Sequence, residues 1–411
     1  MRFEFATATR ITFGPGTFGG VGAVAAGLLD QAADVPPAVR SAIDPPGSGA
    51  LASPDGAHGI LVVTGRSAER ARPLQQALSA AGLLPATFSV PGEPTFDLVR
   101  EATRLARDMK AVLVVGIGGG SAIDTAKAVA VLATNPGDPL DYVEVIGAGR
   151  ALSRPALPWI AVPTTAGTGA EVTRNAVIAS PDRRVKVSLR SPLMLARAAL
   201  VDPELTYGLA PGITASSGLD ALAQLIEPFV SNRANPVADA LCREGMGWAA
   251  GCLRRAFERD EPAAREGMSL ASLMGGMALA NAGLGAVHGF AAPIGGEFDA
   301  PHGAVCGRLL PAVIDVNIRA LRDREPGSPA LVRYEEVARI LTGSPSAGAA
   351  DGVRWVEDLV HSLGIPGLAS YGVTRSDLRG LVERGAAASS MQANPVRLST
   401  PELTEILERS L

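Results

Sequence analysis

The chain has 411 residues, of which 47% are hydrophobic and 19% are charged, as expected for a globular protein of two or three domains. Its 37 basic and 41 acidic residues form no basic block and only 4% of residues are aromatic, so nucleic acid is not an expected partner. The start lacks an apolar signal core and no apolar run is long enough to cross a bilayer, which predicts a cytoplasmic protein. The three cysteines, Cys242, Cys252 and Cys306, lack metal-site spacing and are predicted to be reduced, mostly buried thiols.

The first half of the chain alternates short apolar segments with helical ones. Strands are predicted at ILVVTG, ATFSV, AVLVVGI and PWIAVP, and this alternation predicts a mostly parallel sheet. Residues 32–58 are rich in Pro, Gly and Ser, so they are predicted to be an irregular insertion.

A glycine cluster follows the apolar residues 111–115, and a helix is predicted from Ser121. Glycines let the backbone approach a phosphate closely, and the amides at a helix N-terminus attract negative charge. The spacing, G-x-G-x-x-S, lacks the last glycine of the usual dinucleotide fingerprint, so a tight turn without a ligand remains an alternative. The candidate phosphate-binding residues of this loop are Gly118, Gly119, Gly120 and Ser121.

A second loop of similar character is VPTTAGTGAEVT, in which Thr164, Thr165 and Thr168 offer hydroxyl groups beside two glycines. Two such loops in one half of a chain favour a bound dinucleotide more strongly than a single loop does.

Strand signals stop after VDPELT, and Ala-, Leu- and Met-rich segments follow. Pro203 and Pro211 mark the change of pattern. We therefore expect an α/β domain at residues 1–207 and an all-helical domain at residues 208–411.

Four residues of the second half are candidate metal ligands. Asp220 and Gln224 stand at positions i and i+4 of a predicted helix and so share one face, while His288 and His302 lie fourteen positions apart. Imidazole and carboxylate together suit iron(II) or zinc, whereas a Gln carbonyl is a weak, neutral ligand. The alternative is a pair of structural histidines and an acid favoured by the helix dipole.

The order and spacing of RITFGPG, GGGSAIDTAK, PTTAGTGAEVT, SSGLDALAQ, VHG, PHG and NPVRLSTPEL resemble those of the iron-containing (group III) alcohol dehydrogenases along the whole chain. The resemblance implies a dehydroquinate synthase-like architecture, with a dinucleotide-binding α/β domain and an all-helical metal and substrate domain. It also implies that the glycine and threonine loops, with Asp124, hold NAD or NADP.

The metal ligands of that family are an aspartate, a histidine four residues later, and two histidines fourteen apart. Asp220, His288 and His302 match three of them and are the implied catalytic residues, but Gln224 replaces the second ligand. The resemblance therefore implies an iron or zinc ion that is weakly bound or absent. A further family histidine is Ala292 here, so water or a ribose hydroxyl is expected to carry the proton.

A third departure from the family lies after ILVVTG. NAD-preferring members place an aspartate where this chain has Gly65, and Arg66 follows at once. Without an acid to repel the 2′-phosphate, and with a guanidinium beside it, NADP is expected to be favoured or tolerated.

The implied activity is an NAD(P)-dependent alcohol dehydrogenase or aldehyde reductase, in which a divalent metal holds a small alcohol or carbonyl substrate. One alternative is a metal-free reductase similar to maleylacetate reductase, which the loss of a histidine ligand would permit. A lyase similar to dehydroquinate synthase and a non-catalytic scaffold are further alternatives. The resemblance also suggests a homodimer or a larger homo-oligomer.

Overall fold

A computed structural model describes residues 2–33 and 59–411. The predicted insertion at residues 32–58 lies outside the described residues, apart from its first two, which end a helix. The strands of the described residues are β1 (Ile11–Phe13), β2 (Gly59–Thr64), β3 (Leu84–Ser89), β4 (Leu113–Gly118), β5 (Trp159–Pro163), β6 (Asn175–Ser180), β7 (Val185–Arg190) and β8 (Ala198–Val201). Their helices are α1 (Val21–Ala33), α2 (Arg72–Ala80), α3 (Phe96–Asp108), α4 (Gly120–Thr134), α5 (Pro211–Val230), α6 (Pro236–Arg259), α7 (Pro262–Ala282), α8 (Ala286–Glu297), α9 (His302–Arg324), α10 (Pro329–Thr342), α11 (Ala349–Ser362), α12 (Leu378–Ala387) and α13 (Thr400–Ser410).

Six strands form a parallel sheet in the order β1-β8-β5-β4-β2-β3, as the alternation of strands and helices predicts. Its central strands are apolar along their whole length because both faces are covered by other parts of the chain. The four strands predicted from the sequence correspond to β2, β3, β4 and β5. Strand β4 continues past residue 115, since Gly116 and Gly118 pair with Ala161 and Pro163 of β5.

The sheet changes its winding direction between β2 and β4. The chain runs from β2 outward to β3, and from β4 outward to β5 on the other side, so the carboxyl ends of β2 and β4 flank a crevice. In open parallel sheets, ligands bind at such a switch point. Gly65 follows β2 and Gly118 ends β4, and a Cβ atom on Gly118 would lie only 3.4 Å from the Gly65 nitrogen.

The residues described after β8 form helices and short 3-10 turns only. Helix α5 is central to this half, because almost its whole surface from Gly218 to Val230 is buried, and α6, α7 and α9 pack against it. Among the described helices, none is by itself long and apolar enough to cross a membrane; only α7 and α8 taken together would qualify by length and composition, and they meet at a bend of 100°.

An antiparallel hairpin, β6–β7, was not expected from the sequence. Helix α8 packs against it: a Cβ atom on Gly296 would lie 3.0 Å from Cα of Val185. The hairpin therefore provides part of the contact between the α/β half and the helix that carries His288.

Candidate active site

One face of α5 carries three buried polar side chains. Asp220, Gln224 and Glu227 stand at i, i+4 and i+7, and they are 1%, 3% and 4% exposed. Burying two carboxylates in a helical core is unfavourable unless hydrogen bonds or positive charges compensate. The partners of these side chains therefore indicate what the site is built to hold.

Two histidines from the neighbouring helices face Asp220. His288 Nε2 lies 3.3 Å and His302 Nε2 lies 3.7 Å from Asp220 Oδ1. His302 is the first residue of α9. The start of α9 lies close to α5 because Gly303 has no side chain: a Cβ atom there would be 2.2 Å from the Ser216 carbonyl oxygen. The structure thus brings together three of the four residues that the sequence proposes as ligands.

Cys306 is a fourth member of the cluster. Like Cys242 and Cys252 it is a free, buried thiol, as expected from the sequence. Its Sγ lies 3.6 Å from His302 Nε2 and 3.8 Å from His288 Nε2. Cys306 stands four residues after His302 on α9, the same i, i+4 spacing that relates Asp220 to Gln224. Applied to the segment PHGAVC, the i, i+4 rule would have identified Cys306 as a candidate ligand.

Glu227 is the second residue of the site that was not anticipated. Its carboxylate accepts hydrogen bonds from His288 Nδ1 at 2.6 Å and from the Val287 amide at 2.7 Å. With its Nδ1 proton held in this way, His288 presents Nε2 to Asp220 and Cys306. The available sequence signal for Glu227 was its position seven residues after Asp220, on the same face of the helix.

The acidic groups of the cluster favour positive charge beside them. Burial raises the pKa of Asp220, but His302 and His288 outweigh burial, so this pKa lies below its usual value. Burial lowers the pKa of His302, but Cys306 and Asp220 outweigh it and raise this pKa to about 9. A divalent cation bound at the cluster would supply the positive charge that the protonated histidines otherwise provide, and it would displace their protons.

The donor set fits a first-row divalent metal. One ligand atom from each of Asp220, His288, His302 and Cys306 lies within 4.8 Å of all the others. In addition, Gln224 Oε1 is buried and has no hydrogen-bond partner among the described residues. A carboxylate and two imidazoles suit iron(II) and zinc alike.

The proposed dinucleotide loops lie against each other at the switch point of the sheet. The Thr164 amide donates to the Gly118 carbonyl at 2.9 Å. A Cβ atom on Gly119 would meet Thr165 at 3.4 Å, and one on Gly120 would meet Thr168 at 2.9 Å. Helix α4 begins at Gly120 without a side-chain cap, so the loops and this helix N-terminus form a narrow cradle suited to a phosphate.

The remaining residues predicted to bind the cofactor lie in different surroundings. Ser121 lies in the first turn of α4, beside the cradle. Arg66 is exposed, and its Nε donates to the Pro91 carbonyl at 2.9 Å. The Asp124 carboxylate instead accepts from the Val177 amide at 2.9 Å and pairs with Lys127 at 3.3 Å, which ties α4 to β6. The role of Asp124 in cofactor binding stays a prediction.

The threonine loop also contacts the helical half. A Cβ atom on Gly167 would lie 2.7 Å from Cβ of Ser217, which precedes Asp220 by one turn of α5. Gly169 adopts a φ of 56° and contacts α7 through backbone atoms alone. A Cβ atom added at Gly169 would lie 2.5 Å from Cα of Gly276. One loop therefore contacts the glycine loop on one side and the helix of the acidic ligand on the other.

Comparison with known proteins agrees with this arrangement. The family described as iron-containing alcohol dehydrogenase matches residues 47–203, and the C-terminal region of the same family matches residues 214–411. The chain belongs to this family. One relative, the 4-hydroxybutyrate dehydrogenase of Cupriavidus necator, is 36% identical over 85% of this chain and 92% of its own length. The sulfoacetaldehyde reductase of Bilophila wadsworthia is 34% identical over 82% and 87%.

Solved structures of the family have the same fold. A 1,3-propanediol oxidoreductase superimposes with a TM-score of 0.85 at 28% identity, with both chains fully covered. The sulfoacetaldehyde reductase of Bifidobacterium kashiwanohense, solved in complex with NAD⁺, gives 0.81 at 26% identity and covers 100% of this chain and 99% of its own. As a member of this family, the chain is an oxidoreductase of the alcohol dehydrogenase class.

Proposed function

We propose that hydride transfer takes place between a dinucleotide held at the glycine and threonine loops and a small aldehyde or alcohol whose oxygen lies at the Asp220, His288 and His302 cluster. The threonine loop supports this, because it contacts the phosphate cradle through Thr165 and α5 through Gly167. A cofactor in the cradle would therefore lie beside the cluster.

The cofactor would be held mainly by backbone. The amides of Gly120 and Ser121 begin α4 without a side-chain cap, so they would bind the pyrophosphate, and the hydroxyls of Thr165 and Thr168 stand beside them. Gly65 leaves open space next to the crevice. We infer that NADPH binds at least as well as NADH, because Gly65 presents no acid to the 2′-phosphate.

Asp220, His288 and His302 would hold a divalent metal, and Glu227 would keep His288 in the orientation it needs. A divalent ion bound there supplies Lewis acidity, which polarises a carbonyl group and stabilises negative charge on its oxygen. The His302 side chain is 36% exposed whereas those of Asp220 and His288 are nearly buried, so the substrate would approach from the His302 side.

The proton that accompanies hydride transfer must come from elsewhere. Ala292 lies on α8 one turn after His288 and has no titratable group. We propose that water or a ribose hydroxyl carries this proton. The cytoplasmic location and the homo-oligomeric state also stay predictions.

The test follows nicotinamide absorbance while the protein is mixed with NADH or NADPH and a panel of short aldehydes. Two relatives are named for 4-hydroxybutyrate and sulfoacetaldehyde, both short molecules with an anionic end, so aldehydes of that type come first. We expect net cofactor oxidation. Gly119→Val should abolish it, because the added methyl groups face Thr165 and obstruct the cradle.

His288→Ala separates the alternatives. Loss of turnover in a folded variant supports the metal-dependent reaction, whereas undiminished turnover favours the metal-free mechanism of a maleylacetate reductase-like enzyme. If no aldehyde or alcohol changes cofactor absorbance, hydride transfer to these substrates is refuted; a lyase would recycle its NAD without net change.

A further inference from the structure

Cys306 occupies a place in the cluster that the metal ligands of the family do not account for. It is fully buried on α9, and its Sγ faces both histidine Nε2 atoms. Asp220 Oδ1 faces the same two atoms. The sulfur and the carboxylate oxygen thus belong to one group of four candidate ligand atoms.

Four of the six separations between these atoms are close to those expected around a tetrahedral ion. Zinc bonds of about 2.1 Å to nitrogen or oxygen and about 2.3 Å to sulfur place N and O ligands about 3.4 Å apart, and N and S ligands about 3.6 Å apart. The two N–O separations measured to Asp220 are 3.3 and 3.7 Å. The two N–S separations measured to Cys306 are 3.6 and 3.8 Å.

We propose that Cys306 completes an Asp–His–His–Cys site for a thiophilic divalent ion of the zinc class, in place of the imidazole that Gln224 cannot supply. A thiolate is a strong, soft, charged donor, whereas the Gln224 amide is neutral and weak. Thiolate ligation favours zinc over iron(II) in this chain, and with it the metal is held more tightly than the loss of a histidine ligand implies.

This site remains compatible with catalysis. An ion held by these four side chains would still supply Lewis acidity to a substrate, because catalytic zinc sites accept a further ligand. The partly exposed side of His302 is where it would enter. The inference rests on the proposed function only for the place of the metal, and it is tested without substrate or dinucleotide.

Cobalt(II) added to the metal-free protein is the probe, because a bound thiolate gives an intense sulfur-to-cobalt charge-transfer band in the near ultraviolet. We expect the band in the wild type and its loss in Cys306→Ser. Zinc affinity should also fall by at least about a hundredfold, the upper end of what is lost when a hydrogen-bond partner of a metal ligand is changed. Cys252→Ser, which removes a buried thiol of the same helical core outside the cluster, should keep both.

Gln224→Ala distinguishes the two possible fourth ligands. Retention of the band and of zinc affinity in Gln224→Ala supports Cys306, whereas loss of affinity in Gln224→Ala and its retention in Cys306→Ser would overturn the proposal. Circular dichroism checks that each variant is folded. Should Cys306→Ser not fold, zinc X-ray absorption on the wild type decides: a sulfur neighbour at about 2.3 Å supports the ligand, and a shell of nitrogen and oxygen alone refutes it.

Because these measurements need no turnover, they fail or succeed independently of the redox activity. A sulfur-ligated metal in a protein that oxidises no cofactor would leave this inference intact and refute the proposed function.

Discussion

The cofactor choice that we propose depends on the side chain that Gly65 lacks. A Cβ atom at this position would meet nothing within 4 Å, and the residue does not have the positive φ that would strain a larger side chain. Position 65 can therefore accept an acid without disturbing the neighbouring Gly118.

Gly65→Asp should shift preference toward NADH, because the new carboxylate would repel the 2′-phosphate of NADPH and accept hydrogen bonds from a ribose hydroxyl. Calorimetric titration of both dinucleotides into wild type and variant measures the shift. Gly65→Ala is the control, since it fills the same space without charge. A wild type that already binds NADH on the order of a hundredfold more tightly than NADPH would contradict the role given to this position.

At the scale of single residues, the sequence located part of the site. Asp220, His288 and His302 stood out because spacing and residue type are visible in the chain. Cys306 and Glu227 did not, since a lone cysteine in an apolar helix is most often a buried packing residue and a lone acid is most often exposed. Their roles depend on how α5, α8 and α9 pack together, and no local pattern reports that packing.

Among the elements, the threonine loop carries a buried acid whose ionisation is unfavourable. Glu171 is 3% exposed, and burial raises its pKa to about 7 despite the nearby Lys127. The ordinary pKa of 4.5 applies to the unfolded chain, so the folded state favours the protonated acid. Ionised Glu171 therefore destabilises the fold fully above about pH 7, and this effect fades as the pH falls toward the unfolded value.

Glu171→Gln should accordingly stabilise the protein at about pH 8 and leave its stability almost unchanged near pH 4.5. Each pKa unit between the folded and unfolded states is worth about 1.4 kcal/mol, so the gain at high pH is at most about 3 kcal/mol. Urea unfolding of both proteins at the two pH values measures it. A variant that is less stable than the wild type at pH 8 would show that attraction to Lys127 outweighs burial.

Elements with a long apolar signal were predictable, and those that depend on tertiary pairing were not. The strands β2, β4 and β5 are mostly apolar and are bounded by glycine or proline, so their type could be inferred. The β6–β7 hairpin has a mixed pattern, and its pairing partner is what makes it a sheet. The predicted strand AVLVVGI corresponds to β4, where Gly116 allows α4 to pack closely on the strand.

For the whole molecule, the change from alternating strands and helices to helices alone was visible in the sequence, and β8 ends at Val201 before α5 begins at Pro211. The exact division at residue 207 stays a prediction. What the sequence did not show is that the two halves meet at a pair of glycines. Gly169 and Gly276 are more than a hundred residues apart, and only the folded chain relates them.

Gly276→Ala should weaken dinucleotide binding although it lies on α7. Its methyl group would sit 2.4 Å from the Gly169 carbonyl oxygen, so the threonine loop must shift, and with it Thr165 and Thr168. Gly275→Ala is the matched control, because its methyl group would find nothing nearer than 3.4 Å. Equal cofactor affinity in the two variants would show that the loop adapts without effect on the cradle.

The same contact limits how the enzyme can be recombined. Where two parts of a protein are in contact through backbone atoms, neither part can adjust by changing a side-chain rotamer. The two contacting residues must therefore be kept together. A chimera that joins the α/β half of this chain to the helical half of a relative would therefore need compatible residues at both glycine positions. In libraries of such chimeras, compatibility at this backbone contact, and at the one between Gly296 and Val185, would affect folding before differences in substrate pocket or metal mattered.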